Sequence, residues 1–410
     1  MIILGQSLSN KKSKLGEFLV KSSNQKMSLR FHRRTNSSFE SFSSTDMLKL
    51  SGSNSPTSSA KVSPNKSQES FESKQIRDFS SLLSSPMINI TRIRSISWAG
   101  VPSRFRATVW RLLLDYEPAN QSIKKSALEH KRNDYFDCLN RVYSETQKKL
   151  WTSALKATQD QILRDLPRTK DSRFRSKEVQ DIFERVLFVW AVRHPASGYV
   201  QGMNDLLQPF FYVFLNEQYG INSIEELSNF DDKEEKLREI EADSFWCFSK
   251  LLDGLQDLYT RDQPGLYKMM EKLQQVVARV DPELANWIEE EGIQYQEFAF
   301  RWLNCLLVRE FEMPLLLRLW DSYLANSAAI ANTHVYVCAA MLTKMAAVYH
   351  LKGESHAEFV IKIQQAEAAA WTTTDMDEII AQAYVYEKMF SQAPAHFKNS
   401  NSLPHFPTGK

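Results

Sequence analysis

Two stretches of this 410-residue chain set polar side chains where they could act on something outside the protein. The first, "ILRDLPRTKDSRFR", runs from Ile162 to Arg175 and places Arg168 directly behind Pro167, three residues after Asp165. The second, "SGYVQGMND", places Tyr199, Gln201 and Gly202 at a turn, with Asn204 and Asp205 just beyond. Taken alone, Arg168 is either a surface arginine on a solvated loop or a cation presented to a partner. Its guanidinium keeps its charge and offers a planar fork of donors, which suits it to meeting negative charge. Gln201 is equally open: a helix-capping or surface amide, or a side chain held outward.

The element between the two stretches must position both. "KEVQDIFERVLFVWAVRH" carries Val179, Ile182, Phe183, Val186, Leu187 and Trp190 at helical spacing, and Pro195 in "PASG" ends it. A helix of about 20 residues spans about 30 Å. The loops at its ends therefore meet only if they fold back towards each other, which spacing alone does not show.

The rest of the chain reads as helix as well. "RFRATVWRLLLDY" has Ser103 as its expected N-cap and Phe105, Val109, Leu112 and Leu113 on one stripe. Trp110 is expected in the core. Further helices are expected in "MNDLLQPFFYVFL", "ADSFWCFSKLLDGL", "GLYKMMEKLQQVVARV", "PELANWIEEE", "QEFAFRWLNCLLVREF", "MPLLLRLWDSYLA", "THVYVCAAMLTKMAAVYHL" and the segment from Asp377 to Phe390. Only 12 glycines punctuate the chain, and no sustained period-two alternation appears. The expected fold class is all-α: a multi-helix domain without a fixed repeat. "SIEELSNFDDKEEKLREIEAD" reads as a charged, solvated insertion.

Composition divides the chain. From Met1 to Gln75 there are 20 serines, with 12 Lys and Arg against 5 Asp and Glu, a net of +7. The remainder holds 39 basic and 44 acidic residues, a net of −5. A polar Ser-rich segment cannot bury enough apolar surface to offset chain entropy, so residues 1–86 read as a disordered basic tail. The domain is expected over 87–392, and 393–410, rich in Pro and Asn, as a second disordered tail. Cys138, Cys247, Cys305 and Cys338 are far apart, which fits a reduced intracellular protein without a disulfide framework or zinc site. No apolar run reaches about 18 residues, and "MIILG" is too short for a signal peptide. A cytoplasmic protein with at most peripheral membrane contact is expected, and no nucleic-acid partner.

Several chemistries have no residues to carry them. G-x-x-x-x-G-K-[ST], G-x-G-x-x-G and H-E-x-x-H are absent, and the 8 histidines do not cluster. Glu289, Glu290 and Glu291 read as a solvated face. Cys305, mid-helix on an apolar stripe, reads as an inert buried thiol and not as a nucleophile.

Three stretches together resemble the TBC domain family of Rab GTPase-activating proteins. They are "GVPSRFRATVW", with R-x-x-x-W at Arg106 to Trp110; "ILRDLPRT", with I-x-x-D-x-x-R at Ile162, Asp165 and Arg168; and "YVQG", with Y-x-Q-G at Tyr199 to Gly202. A later "LWDSYL" fits the same order. The motif core covers roughly 97–325, with 326–392 completing the domain. "RHPASGYVQGMNDL" and "QPFF" resemble the branch holding TBC domain family member 22 and related fungal Golgi activators.

The resemblance implies an all-α bundle that inserts two side chains into a GTP-bound Rab. Arg168 would enter the nucleotide site and Gln201 would position the attacking water. Asp165 would orient the arginine or its loop, with Arg106 as a possible ion-pair partner, and Asn204 and Asp205 would support the Gln201 loop. Pro167 would restrict the preceding residue and stiffen the arginine's approach. No cofactor of its own is implied, since GTP and Mg²⁺ would belong to the partner. The chain would act at a trafficking membrane, the Golgi among them. The alternative is a catalytically silent scaffold of the same fold that binds GTPases or trafficking proteins. In the tail, Arg33 and Arg34 precede Ser37 and Ser38, and Ser55, Ser63 and Ser85 each precede proline. Phosphorylation there would offer a docking point for an adaptor such as 14-3-3.

Overall fold

The computed structural model describes residues 66–221, 226, 231–260, 262–364 and 371–391. The chain separates between Ser63 and Pro64, and every described residue lies in the second unit. Its regular structure is helical. Among the described residues the β contribution is an isolated antiparallel bridge between Met87 and Asn120.

The helix between the two stretches forms at Lys177–Arg193, as its spacing predicts. The Ser176 side chain accepts from the Val179 amide and so caps it, and its apolar stripe is buried. Helix Met203–Tyr219 is buried almost all round at its start, from Met203 to Phe211. It packs on helices Lys233–Asp253 and Ser103–Leu113. Trp110, Phe210 and Trp320 meet there, with ring centroids 5.5–6.1 Å apart.

Beside that aromatic cluster the fully buried Asp321 carboxylate accepts from Trp110 Nε1 at 2.7 Å, Arg106 Nε at 3.0 Å and the Val101 amide at 2.8 Å. It holds helix Ser103–Leu113 against helix Met313–Ala325. Helix Ile330–Val348 then packs between Pro264–Val280 and Thr373–Ser391.

Several sequence expectations need correction. A helix at Lys66–Leu83 lies inside the stretch read as tail. Ile76, Phe79, Leu82 and Leu83 give it an apolar stripe, Phe79 is fully buried near Phe105, and Gln75 Nε2 donates to the Gly100 carbonyl at 2.7 Å. Residues 1–65 and 392–410 lie outside the described residues. The second half of the presumed charged insertion is the start of helix Lys233–Asp253. Its Leu237 and Ile240 are buried, Glu241 accepts from Tyr135 and Arg185, and Asp243 from Tyr116 and Arg132. Acidic residues there face inward because each has a donor waiting. Ser103 is the first helical residue and Pro102 occupies the N-cap. Trp110 is core and Glu289 to Glu291 are exposed, as expected.

One further difference bears on the site. "QEFAFRWLNCLLVREF" is not one helix: it ends at Asn304, and Leu306 and Leu307 turn into the left-handed region, with φ of 46° and 62°. The chain from Cys305 to Glu310 is a tight turn.

Candidate functional site

Asp165 ends helix Ser153–Asp165, and Leu166–Arg168 follows as one 3₁₀ turn. Pro167 sits in that first turn, where its missing amide hydrogen is not needed. Leu166 is itself helical (φ −55°, ψ −45°), a conformation that a following proline disfavours. Its burial holds it there. The stretch after Arg168 is tied down. Arg175 donates to the Thr169 and Lys170 carbonyls at 2.8 and 3.0 Å, and Asp171 accepts the Arg173 amide at 3.0 Å. Arg168 therefore stands on a rigid loop with half of its side chain (51%) open to solvent, its guanidinium 3.4 Å from Asp165 Oδ1.

Gln201 is exposed immediately before Gly202, the N-cap of helix Met203–Tyr219. It is not the capping residue. Its carbonyl accepts from Asn304 Nδ2 at 2.9 Å. Gly202 adopts φ 102°, and a Cβ there would lie 2.5 Å from Asn304 Nδ2 and 3.1 Å from Cys305 Sγ. Only glycine allows both that backbone and that approach.

The two loops do fold back to one another. Tyr199 Oη donates to Asp165 Oδ2 at 3.1 Å and contacts Asn204 Oδ1 at 3.3 Å. Burial and the neighbouring Asp165 push the Tyr199 phenol well up, so it stays a donor. Asp165 is 6% exposed, and burial raises its carboxyl above the usual range, an effect that Tyr199 and Arg168 oppose. Asp205 is nearly fully buried and accepts from Gln208 Nε2 at 2.9 Å and Arg309 Nε at 2.7 Å. Arg309 also donates to the Arg168 carbonyl at 3.0 Å.

Asp165, Arg168, Tyr199, Gln201, Gly202, Asn204 and Asp205 thus fall in one connected group. Arg106 does not join it. Read from the sequence as a partner for Asp165, it grips Asp321 instead, because its helix faces the 313–325 helix. Sequence reading missed Asn304 and Arg309, which lie a hundred residues downstream and reach the loops through the turn at Cys305–Glu310. The signal was a polar residue inside an apolar run, "WLNCLL". Cys305 is buried and its thiol is pushed well up by burial and by Asp205, so it is no nucleophile.

These observations define a class: a helical domain that presents an arginine and a glutamine on two rigid, adjoining loops. The family pattern of the Rab-GTPase-TBC domain matches residues 103–348, and the chain belongs to that family. It is 41% identical over 332 residues to TBC1 domain family member 22B of Homo sapiens, covering 80% of this chain and 64% of that protein. It is 35% identical over 335 residues to GTPase-activating protein gyp1 of Schizosaccharomyces pombe, covering 79% of this chain and 63% of that protein. The chain thus spans slightly under two thirds of the length of these curated relatives. The crystal structure of the Ypt/Rab-GAP domain of Gyp1p superposes with a TM-score of 0.72 at 36% identity, over 77% of this chain and 98% of that one.

Proposed function

We propose that this chain accelerates GTP hydrolysis by a Rab-family GTPase, supplying Arg168 and Gln201 in trans. The observation that carries the reading is the Tyr199–Asp165 bond, which brings the two loops together while leaving both side chains exposed. Phosphoryl transfer asks for little covalent chemistry. It asks for a cation against the charge that develops on the transferred group, and for a water held in line. Arg168 meets the first need with a donor fork on a loop already fixed, so little ordering entropy is lost on docking. Gln201 meets the second from a backbone pinned by Asn304. GTP and Mg²⁺ come with the GTPase. Docking also excludes water, which strengthens every charge interaction inside the contact.

A groove of about 460 Å³ beside the Arg168 loop, lined in part by Lys170, Arg173, Gln208, Phe311 and Met313, offers the GTPase a further place to rest. The GTPase would sit on a trafficking membrane, the Golgi first to be tried. No described helix is long and apolar enough to cross a membrane, and contact would be peripheral. Phospho-dependent adaptor binding would belong to the 1–65 segment, where Ser37 and Ser38 lie.

The test is phosphate release from a panel of purified GTP-loaded Rabs with the full chain. Stimulation of at least one Rab is expected, lost in Arg168→Ala and Gln201→Ala. A chain that binds a GTP-loaded Rab without accelerating it would be a scaffold.

A further inference from the structure

The site contains a residue that touches neither loop's working side chain yet is bonded to the Arg168 loop and to the helix start that the Gln201 loop leads into. We propose that Arg309 is a positioning residue: it locks the Arg168 and Gln201 loops into one fixed relation, so that both side chains lose their aim together when it is removed. The inference rests on the activator reading above.

The geometry is specific to a guanidinium. Nε is 2.7 Å from Asp205 Oδ2, and the NH2 nitrogen is 3.0 Å from the carbonyl of Arg168 itself. Asp205 stands in the first turn of the helix that Gln201 leads into, and its amide donates to the Gly202 carbonyl at 3.1 Å. One side chain therefore joins the backbone of the arginine to the helix start behind the glutamine. The Arg309 carbonyl returns the contact by accepting from Lys170 Nζ at 2.8 Å. A lysine at 309 would keep the charge opposite Asp205 but has no rigid fork to aim in two directions at once.

The backbone that delivers Arg309 supports the same conclusion. Had helix Gln296–Asn304 continued, Arg309 would ride on its surface. Instead two successive leucines, Leu306 and Leu307, are fully buried in the left-handed region, where residues with a Cβ are seldom found. Such a conformation persists only when its surroundings hold it, and it tends to occur where a site needs it. Here it places Asn304 on the Gln201 carbonyl and, five residues later, Arg309 on Asp205 and Arg168. The ion pair from Arg301 to Glu310, at 2.7 and 2.8 Å, braces the turn from behind. The Asp165–Tyr199 bond links side chains across the loops, whereas Arg309 fixes the backbone on which Arg168 is carried.

A plain stabilising role predicts a different outcome, and the experiment separates the two. Hydrogen–deuterium exchange on the full chain compares wild type with Arg309→Ala and Arg309→Lys. In Arg309→Ala, exchange over 166–175 and 200–205 should rise together, at least tenfold, while helix Ile330–Val348 is unchanged. On the most strongly stimulated Rab, the same variant should lower the stimulated kcat by about 10²-fold, the scale of a small misplacement of reacting groups. KM should stay near wild type, and Arg309→Lys should recover only part of the loss. In an Arg168→Ala/Gln201→Ala background, Arg309→Ala should cost nothing further, since nothing remains to aim. Unchanged exchange in either loop overturns the proposal. So does a loss that falls on KM, or one that persists in the double-substituted background. If the wild-type chain stimulates no Rab, the activator reading fails by itself, and the exchange result still decides whether Arg309 couples the loops.

Discussion

At the scale of single residues, Arg168 and Gln201 stand exposed, while Asn304 and Arg309 hold the backbone beneath them. Arg168 and Gln201 show in the sequence because each sits beside a residue that punctuates backbone, Pro167 or Gly202. Asn304 and Arg309 do not, because their roles depend on two leucines adopting a conformation for which leucine carries no signal. Arg168→Ala and Gln201→Ala should each remove most of the stimulation, on the scale of ~10³–10⁵ that a trans arginine contributes in small GTPases. Serving one transition state, they should be non-additive, the double variant being little worse than either single one. Phosphate-release rates check both points, and Arg168→Lys should fall closer to Ala than to wild type because it loses the fork. Gly202→Ala should be costly for a different reason. It forces a Cβ towards Asn304 at a positive φ, so about 1–3 kcal/mol of stability should be lost together with the placement of Gln201. Urea unfolding reads the first effect and phosphate release the second; normal behaviour in both would show that the Asn304 contact is dispensable.

At the scale of elements, helical periodicity found most of the body, since the stripes it named are buried, with Phe105 half-buried. It failed in three places for separate reasons. The run from Trp302 to Phe311 keeps its apolar rhythm through the break at Cys305, so period alone carries the helix on. The Lys66–Leu83 helix is hidden by serines and charges, although Ile76, Phe79, Leu82 and Leu83 were there to be counted. The segment before Asp253 looks solvated by charge, but Glu241 and Asp243 point at buried donors. Charge shows exposure only where no partner is waiting. A buried joint between elements is Asp321, read from the sequence only as part of a matching motif. Asp321→Ala strips a fully buried carboxylate from Arg106, Trp110 and the Val101 amide. It should cost about 3–5 kcal/mol, the range for breaking a buried pair. Thermal unfolding measures this, and a Tm near wild type would show that the 103–113 and 313–325 helices are held elsewhere.

At the scale of the whole molecule, acid should find a weak point behind the turn that carries Asn304 and Arg309. His334 is fully buried, with Nδ1 2.6 Å from the Tyr323 hydroxyl and Nε2 3.0 Å from the Trp302 carbonyl. Burial holds its imidazole down to about 4, against an ordinary value of 6.5. A depressed histidine favours the fold above its unfolded value, and that stability is lost as pH falls from about 6.5 through about 4. The loss is about 3 kcal/mol. Urea midpoints at pH 7 and pH 4.5 should therefore differ, and His334→Gln should narrow the difference. At the amino end, removing residues 1–65 should leave stimulation in solution within about twofold, since Arg168 and Gln201, the residues proposed to serve phosphoryl transfer, lie outside that segment. Removing 1–83 should lower stability as well, because Phe79 leaves its site; circular-dichroism melts distinguish the two. The Asp321 joint also sets when the protein can form during synthesis. It ties a carboxylate to the Val101 amide 220 positions earlier in the chain. At 5–20 residues per second, a ribosome takes roughly 10–40 s to deliver the second partner after the first. Throughout that interval the 103–113 helix has emerged without the carboxylate that receives Arg106 and Trp110, its apolar stripe awaiting a surface not yet made. A nascent chain halted before residue 321 should accordingly remain protease-sensitive in its first helices and recruit chaperones, and protection should appear abruptly once the 313–325 segment clears the exit tunnel.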